Sequence, residues 1–192
     1  DLGVISLTNA AALSDISVGP PTEKLLLSYH SSVNGQRPRN RSFERHPMHP
    51  TRIDVKSSSR TYPVFVSPGI AGDLARWLAD AGVGERRLIV SSPTVWAHHG
   101  ETVAAALPGV IHLLVPDGER AKNHRPLSRV YEWLIENGAD RSSTIIAVGG
   151  GVIGDTVGFA AASYLRGVDL VQVTTTLLAQ VDSAVGGKVG IN

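Results

Sequence analysis

A strand-like run that ends in three glycines restricts the fold of this chain more than any other feature. Residues 145–148 (Ile-Ile-Ala-Val) have the uninterrupted apolar character of a strand covered on both faces. Gly149, Gly150 and Gly151 follow directly, and the pattern after them predicts a helix of small residues over 152–164. Because glycine has no Cβ atom, the backbone can turn sharply here, and a pyrophosphate can approach the N–H groups at the positive end of the helix. The segment therefore predicts a nucleotide-binding turn between a strand and a helix.

The spacing of the glycines leaves two interpretations open. Gly149, Gly151 and Gly154 satisfy the G-x-G-x-x-G pattern, which on its own is a weak signal. A standard Rossmann unit also has an acidic residue at the end of the next strand, whereas Asp169 opens that strand instead of closing it. The segment is therefore not predicted to be a standard Rossmann unit, and a glycine turn that serves only tight packing is the alternative.

From residue 51 onward, strand and helix patterns alternate. Predicted strands cover 52–55, 62–66, 87–90, 110–115, 144–148 and 169–173, and the first two of them can form a hairpin. Predicted helices cover 70–81, 94–107, the stretch from Pro126 to the residue before Gly138, 152–164 and 177–185. This succession predicts an α/β fold, a parallel Rossmann-like sheet with flanking helices.

Residues 1–47 have a different character. Their periodicity is weak, and they end in a polar run at 36–42 that has little to bury in a core. The single methionine, Met48, comes directly before the first convincing strand, while the chain begins at Asp1. We therefore expect 1–47 to be a disordered or non-native leader whose removal leaves thermal stability nearly unchanged; a basic arm or a transit peptide is the alternative. Residues 48–192 are expected to form a nucleotide-binding α/β domain.

Composition narrows the class of ligand. The 18 basic and 17 acidic residues leave a net charge of +1, which gives no electrostatic reason to expect a nucleic acid partner. The absence of cysteine excludes disulfides, zinc thiolate sites and cysteine nucleophiles. The longest strongly apolar stretch, residues 157–165, is too short to span a bilayer. We expect a soluble, cytoplasmic protein with a small-molecule ligand and no membrane partner.

Two further motifs follow predicted strands, where open α/β sheets bind their ligands. In Pro-Asp-Gly-Glu-Arg-Ala-Lys (116–122), Glu119 can accept hydrogen bonds from ribose hydroxyls and Lys122 can meet a phosphate; a solvated charged loop is the alternative. In residues 174–188, threonine hydroxyls precede a helix that carries Asp182, and Gly186-Gly187 let Lys188 turn back toward the strand ends. A helix cap with an Asp–Lys surface ion pair is the alternative for this second motif.

A metal site at His98 and His99 is not favoured, because adjacent helical residues point about 100° apart and cannot easily share one ion.

Together, and in this order, these segments resemble the 3-dehydroquinate synthase family of sugar-phosphate cyclases. The matching sequences are PDGERAK, GGGVIGD, GFAAASYLRGV and TTLLAQVDSAVGGKVGIN. The resemblance extends less specifically back to about Met48 and does not cover residues 1–47. It implies an NAD-binding α/β domain over 48–192, truncated at its C-terminal end relative to the family, whose helical C-terminal domain is expected beyond Asn192.

The resemblance implies a lyase that uses NAD and a divalent metal, zinc or cobalt. Its substrate is a sugar acid phosphate, 3-deoxy-D-arabino-heptulosonate 7-phosphate, which is converted to 3-dehydroquinate with loss of phosphate in the shikimate pathway. The positions matched to cofactor binding are Glu119, Lys122, Gly149, Gly150, Gly151, Val152, Asp155, Thr175, Thr176, Asp182 and Lys188. The positions matched to catalysis are Asp182, Lys188 and Arg166, and Arg166 reaches the substrate phosphate across a subunit boundary, which implies a homodimer.

Several positions depart from the family pattern. Thr174 stands where the family usually has proline, Val189 replaces a frequent threonine, and Ser92 occupies a position where many members carry an acidic ribose ligand. The family's metal ligands, one Glu and two His, are expected beyond Asn192. We therefore expect the 192-residue chain to bind NAD weakly and to lack activity alone. Another sugar-phosphate cyclase and a catalytically inactive NAD-binding fragment are the alternatives, and an iron-type alcohol dehydrogenase is less favoured.

Overall fold

The structure is a computed structural model that describes residues 4–9 (backbone only), 50–56, 61–187 and 189–192. Its strands are β1 (Val4–Asn9), β2 (Thr51–Lys56), β3 (Thr61–Ser67), β4 (Arg87–Ser91), β5 (His112–Leu114), β6 (Thr144–Gly149) and β7 (Asp169–Thr174). They form one sheet in the order β2-β3-β1-β7-β6-β4-β5. The β2–β3 pair is the predicted antiparallel hairpin, and the other pairs are parallel. The predicted parallel α/β architecture is confirmed.

Helices cover both faces of this sheet. They are α1 (Leu74–Asp80), α2 (Pro93–Ala106), α3 (His124–Glu136) and α4 (Gly151–Ser163). Leu78 of α1 and Val103 of α2 pack with one cluster of buried strand residues, whereas Leu134 of α3 and Val157 of α4 pack with another. Every residue of β6 is buried, as its apolar sequence predicts for a strand covered on both sides.

Local sequence explains where the helices next to the site begin. Ser92 caps α2, because its Oγ accepts a hydrogen bond from the backbone N–H of Val95, and Pro93 stands in the first turn. Asn123 caps α3 through the N–H of Arg125, so α3 begins two residues before the predicted start at Pro126. Ser92 lies directly after β4, and Asn123 lies at the end of the loop that joins β5 to α3.

Strand β1 differs from the sequence prediction. It lies between β3 and β7 and is parallel to both, with Val4 beside Leu170 and Ser6 beside Val64. The sequence does not predict a strand within the expected leader, because these six residues pair with strands that are far away in the chain. Residues 10–47 of the predicted leader lie outside the described residues, so the expectation for them stays a prediction.

The segment after β7 also differs. The sequence predicts an α-helix over 177–185 with an inward apolar face formed by Leu177, Leu178, Val181 and Val185. The structure instead has a π-helix at Ala179–Ser183, which buries Ala179 and Gln180. Leu177, Leu178 and Val181 are 43%, 66% and 61% exposed, because the wider turn changes which side chains face the sheet.

Within the described ranges, no helix is long and apolar enough to cross a membrane.

Candidate functional site

The glycine turn and the threonine segment lie side by side at the carboxyl edge of the sheet. Gly149 ends β6, Gly150 precedes α4 and Gly151 opens it. The N–H of Thr175 donates to the carbonyl oxygen of Gly149 at 3.0 Å, which joins the two segments directly. The sequence predicts this shared edge, and the structure confirms it.

The three glycines are needed because neighbouring atoms lie close to where a Cβ would stand, and not because the backbone is left-handed at these positions. None of them has a positive φ, and Gly150 is extended at φ −83°. A Cβ on Gly149 would lie 2.7 Å from the Cβ of Ile153, and one on Gly150 would lie 2.9 Å from the Cγ2 of Thr176. Gly149 therefore allows α4 to pack on β6, as the tight-packing interpretation predicts, whereas Gly150 keeps open the space next to Thr176.

The N-terminus of α4 has the properties of an anion site. No side chain caps this helix at Gly150, so its first N–H groups face the turn with the positive end of the helix dipole. A Cβ on Gly151 would lie 3.2 Å from the Oγ of Ser183, which places that hydroxyl beside the turn. The Ser183 Oγ is buried and has no hydrogen-bond partner among the described residues. Helix N–H groups and a free hydroxyl therefore converge where a phosphate would be bound.

A cation lies next to this turn. The Nζ of Lys122 donates to the Oδ2 of Asp155, in the first turns of α4, at 2.9 Å, and it lies 3.4 Å from the Oε1 of Glu119. The hydrogen bond with Asp155 is the largest of the effects that raise the pKa of Lys122, and burial opposes it. Lys122 is thus held protonated, and the structure brings Glu119, Lys122 and Asp155 to the glycine turn as a group.

The threonines and Asp182 border the same edge on the other side. Thr175 is half-buried, Thr176 is exposed, and the Oγ1 of Thr176 accepts from the N–H of Ala179 at 3.3 Å. Asp182 is exposed on the π-helix next to Ser183. Lys188 lies outside the described residues, so its predicted role stays a prediction.

Arg166 is not part of this cluster within one chain. It lies in the turn that follows α4, and a helix of 13 residues, about 20 Å long, separates that turn from Gly151. Both Leu165 and Arg166 have positive φ angles, 49° and 70°. The structure therefore places Arg166 at the opposite edge of the sheet, and its predicted contribution across a subunit boundary stays a prediction.

Ser92 and Asp117 form a contact that the sequence prediction missed. The Oγ of Ser92, directly after β4, donates to the Oδ2 of Asp117 at 3.0 Å. The Oδ1 of Asp117 accepts from the N–H of Gly118 at 2.8 Å. From the sequence, Ser92 is only a position where many members of the family carry an acidic residue, and Asp117 is only a loop residue. The placement of both residues directly after predicted strands was the one available signal.

The sequence prediction also missed Gln180. A cavity of about 200 Å³ on the α2 side of the sheet is lined by His99, Thr174, Thr175 and Gln180 among others. The Oε1 of Gln180 is buried and has no hydrogen-bond partner among the described residues. Gln180 therefore gives the threonine segment a polar wall on the side away from α4.

The described residues do not fit a metal ion. The rings of His98 and His99 are 6.5 Å apart and inclined by 65°, as expected for neighbours on a helix. In the described part of the chain, no group of three or more His, Cys, Asp or Glu side chains is arranged to hold a metal.

Comparison with known proteins finds the same resemblance as the sequence motifs. Residues 112–192 match the family described as 3-dehydroquinate synthase N-terminal. The 3-dehydroquinate synthase of Geotalea uraniireducens (strain Rf4) is 50% identical over 144 residues, which are 73% of this chain and 40% of that protein. The chain resembles the N-terminal part of 3-dehydroquinate synthase, as its motifs predict. It spans about 40% of the length of the curated relatives it matches.

Solved structures of sugar-phosphate cyclases have the same fold. A 2-deoxy-scyllo-inosose synthase is 25% identical with a TM-score of 0.64, over 74% of this chain and 41% of that one. The 2-epi-5-epi-valiolone synthase of Streptomyces hygroscopicus subsp. jinggangensis, solved with NAD+ and Zn2+ bound, is 35% identical with a TM-score of 0.55. The matched region covers 62% of this chain and 35% of the valiolone synthase. The predicted resemblance to the dehydroquinate synthase-like fold is confirmed.

Proposed function

We propose that this chain is the nucleotide-binding part of a 3-dehydroquinate synthase. Such an enzyme is a lyase that converts 3-deoxy-D-arabino-heptulosonate 7-phosphate to 3-dehydroquinate and eliminates phosphate. One observation carries the proposal: the uncapped N-terminus of α4 meets the threonine segment through the Thr175–Gly149 hydrogen bond. The identity of 50% to the Geotalea relative supports the same reaction.

The residues at the glycine turn fit NAD. The N–H groups of Gly151 and Val152 would bind the pyrophosphate, with the Ser183 hydroxyl as a further donor. Thr175 and Thr176 would border the nicotinamide end, and Glu119 and Lys122 the nucleotide end. When bound, NAD supplies reversible hydride transfer, which oxidises a substrate hydroxyl and acidifies the neighbouring C–H bond. The NAD+ bound to the valiolone synthase supports this assignment.

The chain's own groups contribute charge and position. Lys122 holds a fixed positive charge at the start of α4, because Asp155 and Glu119 both raise its pKa. We assign Asp182 and Lys188 to the substrate side of the site, where an ammonium group would stabilise the negative charge that develops on a departing phosphate. We assign Arg166 to the same task in the site of a second copy, since it lies too far from its own glycine turn.

The divalent metal of the family has no described ligand here, so no step is assigned to it. Zn2+ is present in the valiolone synthase, and a metal in this protein would need residues other than the described ones.

The proposal is tested by two measurements on the same sample. Isothermal titration with NAD is expected to give weak binding to the 192-residue chain, and a phosphate-release assay with the heptulosonate phosphate is expected to give no turnover. Fusion to the C-terminal part of the Geotalea relative is expected to restore turnover. Phosphate release by the chain alone, or absence of NAD binding together with an inactive fusion, would contradict the proposal.

Another sugar-phosphate cyclase is the second candidate, because the chain has the same fold as the valiolone synthase, which was solved with NAD+ bound. Turnover of a different sugar phosphate by the fusion, with none of the heptulosonate phosphate, would favour this second candidate.

A further inference from the structure

We propose that Tyr62 is a positioning residue, which holds the hydroxyl of Ser183 at the glycine turn without touching the nucleotide itself. The hydroxyl oxygen of Tyr62 accepts a hydrogen bond from the backbone N–H of Gly186 at 2.7 Å, across 124 positions of the chain. This inference rests on the proposed nucleotide site and names a residue outside that site on which its geometry depends.

The ring of Tyr62 is held by the core. Tyr62 lies in β3, opposite Val55 of β2. Its side chain is 6% exposed and belongs to the same buried cluster as Val157 and Ala161 of α4. Because protein cores are closely packed, the ring and its oxygen have little freedom to move relative to α4. Tyr62 therefore presents an acceptor whose place is fixed relative to the helix that forms the anion site.

The hydrogen bond to Tyr62 holds the chain where the π-helix ends. The N–H of Ala184 donates back into this helix, to the carbonyl oxygen of Ala179 at 3.1 Å. The N–H of Gly186 instead donates to Tyr62. Gly186 has a φ of 91°, a conformation that favours glycine and turns the chain away from the helix. The segment that carries Ser183 is thus fastened, directly after the helix, to a residue of a distant strand.

The position of the Ser183 hydroxyl depends on how this segment is held. Its large apolar side chains, Leu178 and Val181, are exposed and do not anchor it in the core. The Oγ of Ser183 lies 3.2 Å from where a Cβ on Gly151 would stand, and it has no hydrogen-bond partner among the described residues. A hydroxyl donates to an oxygen over about 2.5–3.0 Å, so a displacement of about 1 Å would lose a bond to a bound phosphate.

The experiment measures nucleotide binding by isothermal titration on the 192-residue protein. Tyr62→Phe keeps the ring and removes the acceptor, so it is expected to weaken NAD binding about threefold to tenfold, the scale of one hydrogen bond. ADP has the same diphosphate without the nicotinamide, and its binding should weaken by the same factor. In a Ser183→Ala background, Tyr62→Phe should have no further effect, because no hydroxyl is left to position.

Tyr164→Phe is the matched control. Tyr164 is also buried, and its hydroxyl donates to the carbonyl oxygen of Ala139 at 3.0 Å, at the other end of α4 from the glycine turn. Loss of that hydrogen bond should leave the affinities for NAD and ADP unchanged, whatever it does to stability.

Amide hydrogen exchange on the wild-type protein gives a second test if Tyr62→Phe does not fold. Gly186 is exposed, so slow exchange of its N–H would come from the hydrogen bond to Tyr62. Fast exchange of this N–H would overturn the inference.

The other outcomes separate the inference from the proposed function. Unchanged NAD affinity in a folded Tyr62→Phe variant, or in Ser183→Ala, would overturn the inference. So would an equal loss with and without the Ser183 hydroxyl, which would show a general effect on the fold, or a weakening of NAD alone, which would locate the effect at the nicotinamide. In all these cases the nucleotide site would stand. A wild-type chain that binds neither NAD nor ADP would overturn the nucleotide site and the inference with it.

Discussion

The two sides of the candidate site are built differently. On the side of β4 and β5, side chains are tied to one another and to α4, through the pairs Ser92–Asp117 and Lys122–Asp155. On the side that follows β7, a five-residue π-helix leaves Leu178 and Val181 exposed to solvent. Side-chain pairs thus order the nucleotide end of the site, whereas the end assigned to the substrate presents large apolar side chains to solvent. A bound dinucleotide should accordingly gain most of its affinity from the first side.

The largest effect is expected at the boundary between the two sides. In Gly150→Val, the Cβ would come within 2.9 Å of the Cγ2 of Thr176, and two further methyl groups would enter the space above the α4 N–H groups. NAD binding measured by titration should be abolished. Circular dichroism should show the wild-type fold, and Gly84→Ala, where an added Cβ meets nothing closer than 3.8 Å, serves as a control with normal binding. Normal NAD affinity in Gly150→Val would show that the turn serves packing only.

Substitutions of a buried leucine and of an exposed leucine should change the free energy of unfolding by very different amounts on the two sides. Leu134→Ala removes a fully buried side chain and should lower the free energy of unfolding by about 2–5 kcal/mol in urea titrations. Leu178→Asn changes a leucine that is 66% exposed and should alter the same quantity by less than about 0.5 kcal/mol. A loss of several kcal/mol from Leu178→Asn would mean that the segment after β7 is packed after all.

Removing the cation Lys122 should destabilise the side of the site that follows β4 and β5. Lys122→Met leaves Asp155 without its ion-pair partner and should lower the free energy of unfolding by about 1 kcal/mol, besides weakening NAD binding. The matched variant Lys122→Met with Asp155→Asn should recover part of that stability. An equal loss in the single and double variants would show that the pair does not couple.

The ion pair between Lys122 and Asp155 should also make the free energy of unfolding depend on pH in a defined way. Folding raises the pKa of Lys122, so its stabilisation is complete below the usual lysine value and is lost as the pH rises through the raised pKa. The Lys122→Met variant should therefore differ from wild type at neutral pH and converge with it at strongly alkaline pH. A difference in unfolding free energy that is constant over this range would contradict the role of the charge.

The smallest effect is expected far from the site, in the loop before β6. The hydroxyl and then the backbone N–H of Ser142 are the largest effects that lower the pKa of Asp140. Ser142→Ala should move that pKa back toward its ordinary value, as measured by NMR titration of the carboxyl group. The associated stability is present above the ordinary pKa of aspartate and is lost as the pH falls through the lowered value, so cofactor binding at neutral pH should not change.

Local signals predict much of the nucleotide side. The apolar run before Gly149, the glycines and the small-residue helix each point to one structure, and the alternation of elements predicts the parallel sheet. Three features were beyond sequence patterns, because distant parts of the chain create them: the insertion of β1 between β3 and β7, the Ser92–Asp117 contact and the exposure of Leu178. Periodicity describes which residues share a face, but not which other segment covers that face.

The left-handed turn at Leu165 and Arg166 has a thermodynamic consequence. Non-glycine residues in this conformation are each destabilised by about 1–2 kcal/mol relative to ordinary backbone, and glycine avoids most of that strain. The next residue, Gly167, already has a positive φ of 115°, so the chain places glycine at one of three consecutive positions that would suit it. Two bulky side chains are thus kept at the expense of folding stability. Their retention identifies this turn as a place where thermal robustness can be increased by substitution, at the risk of losing whatever the guanidinium of Arg166 contacts.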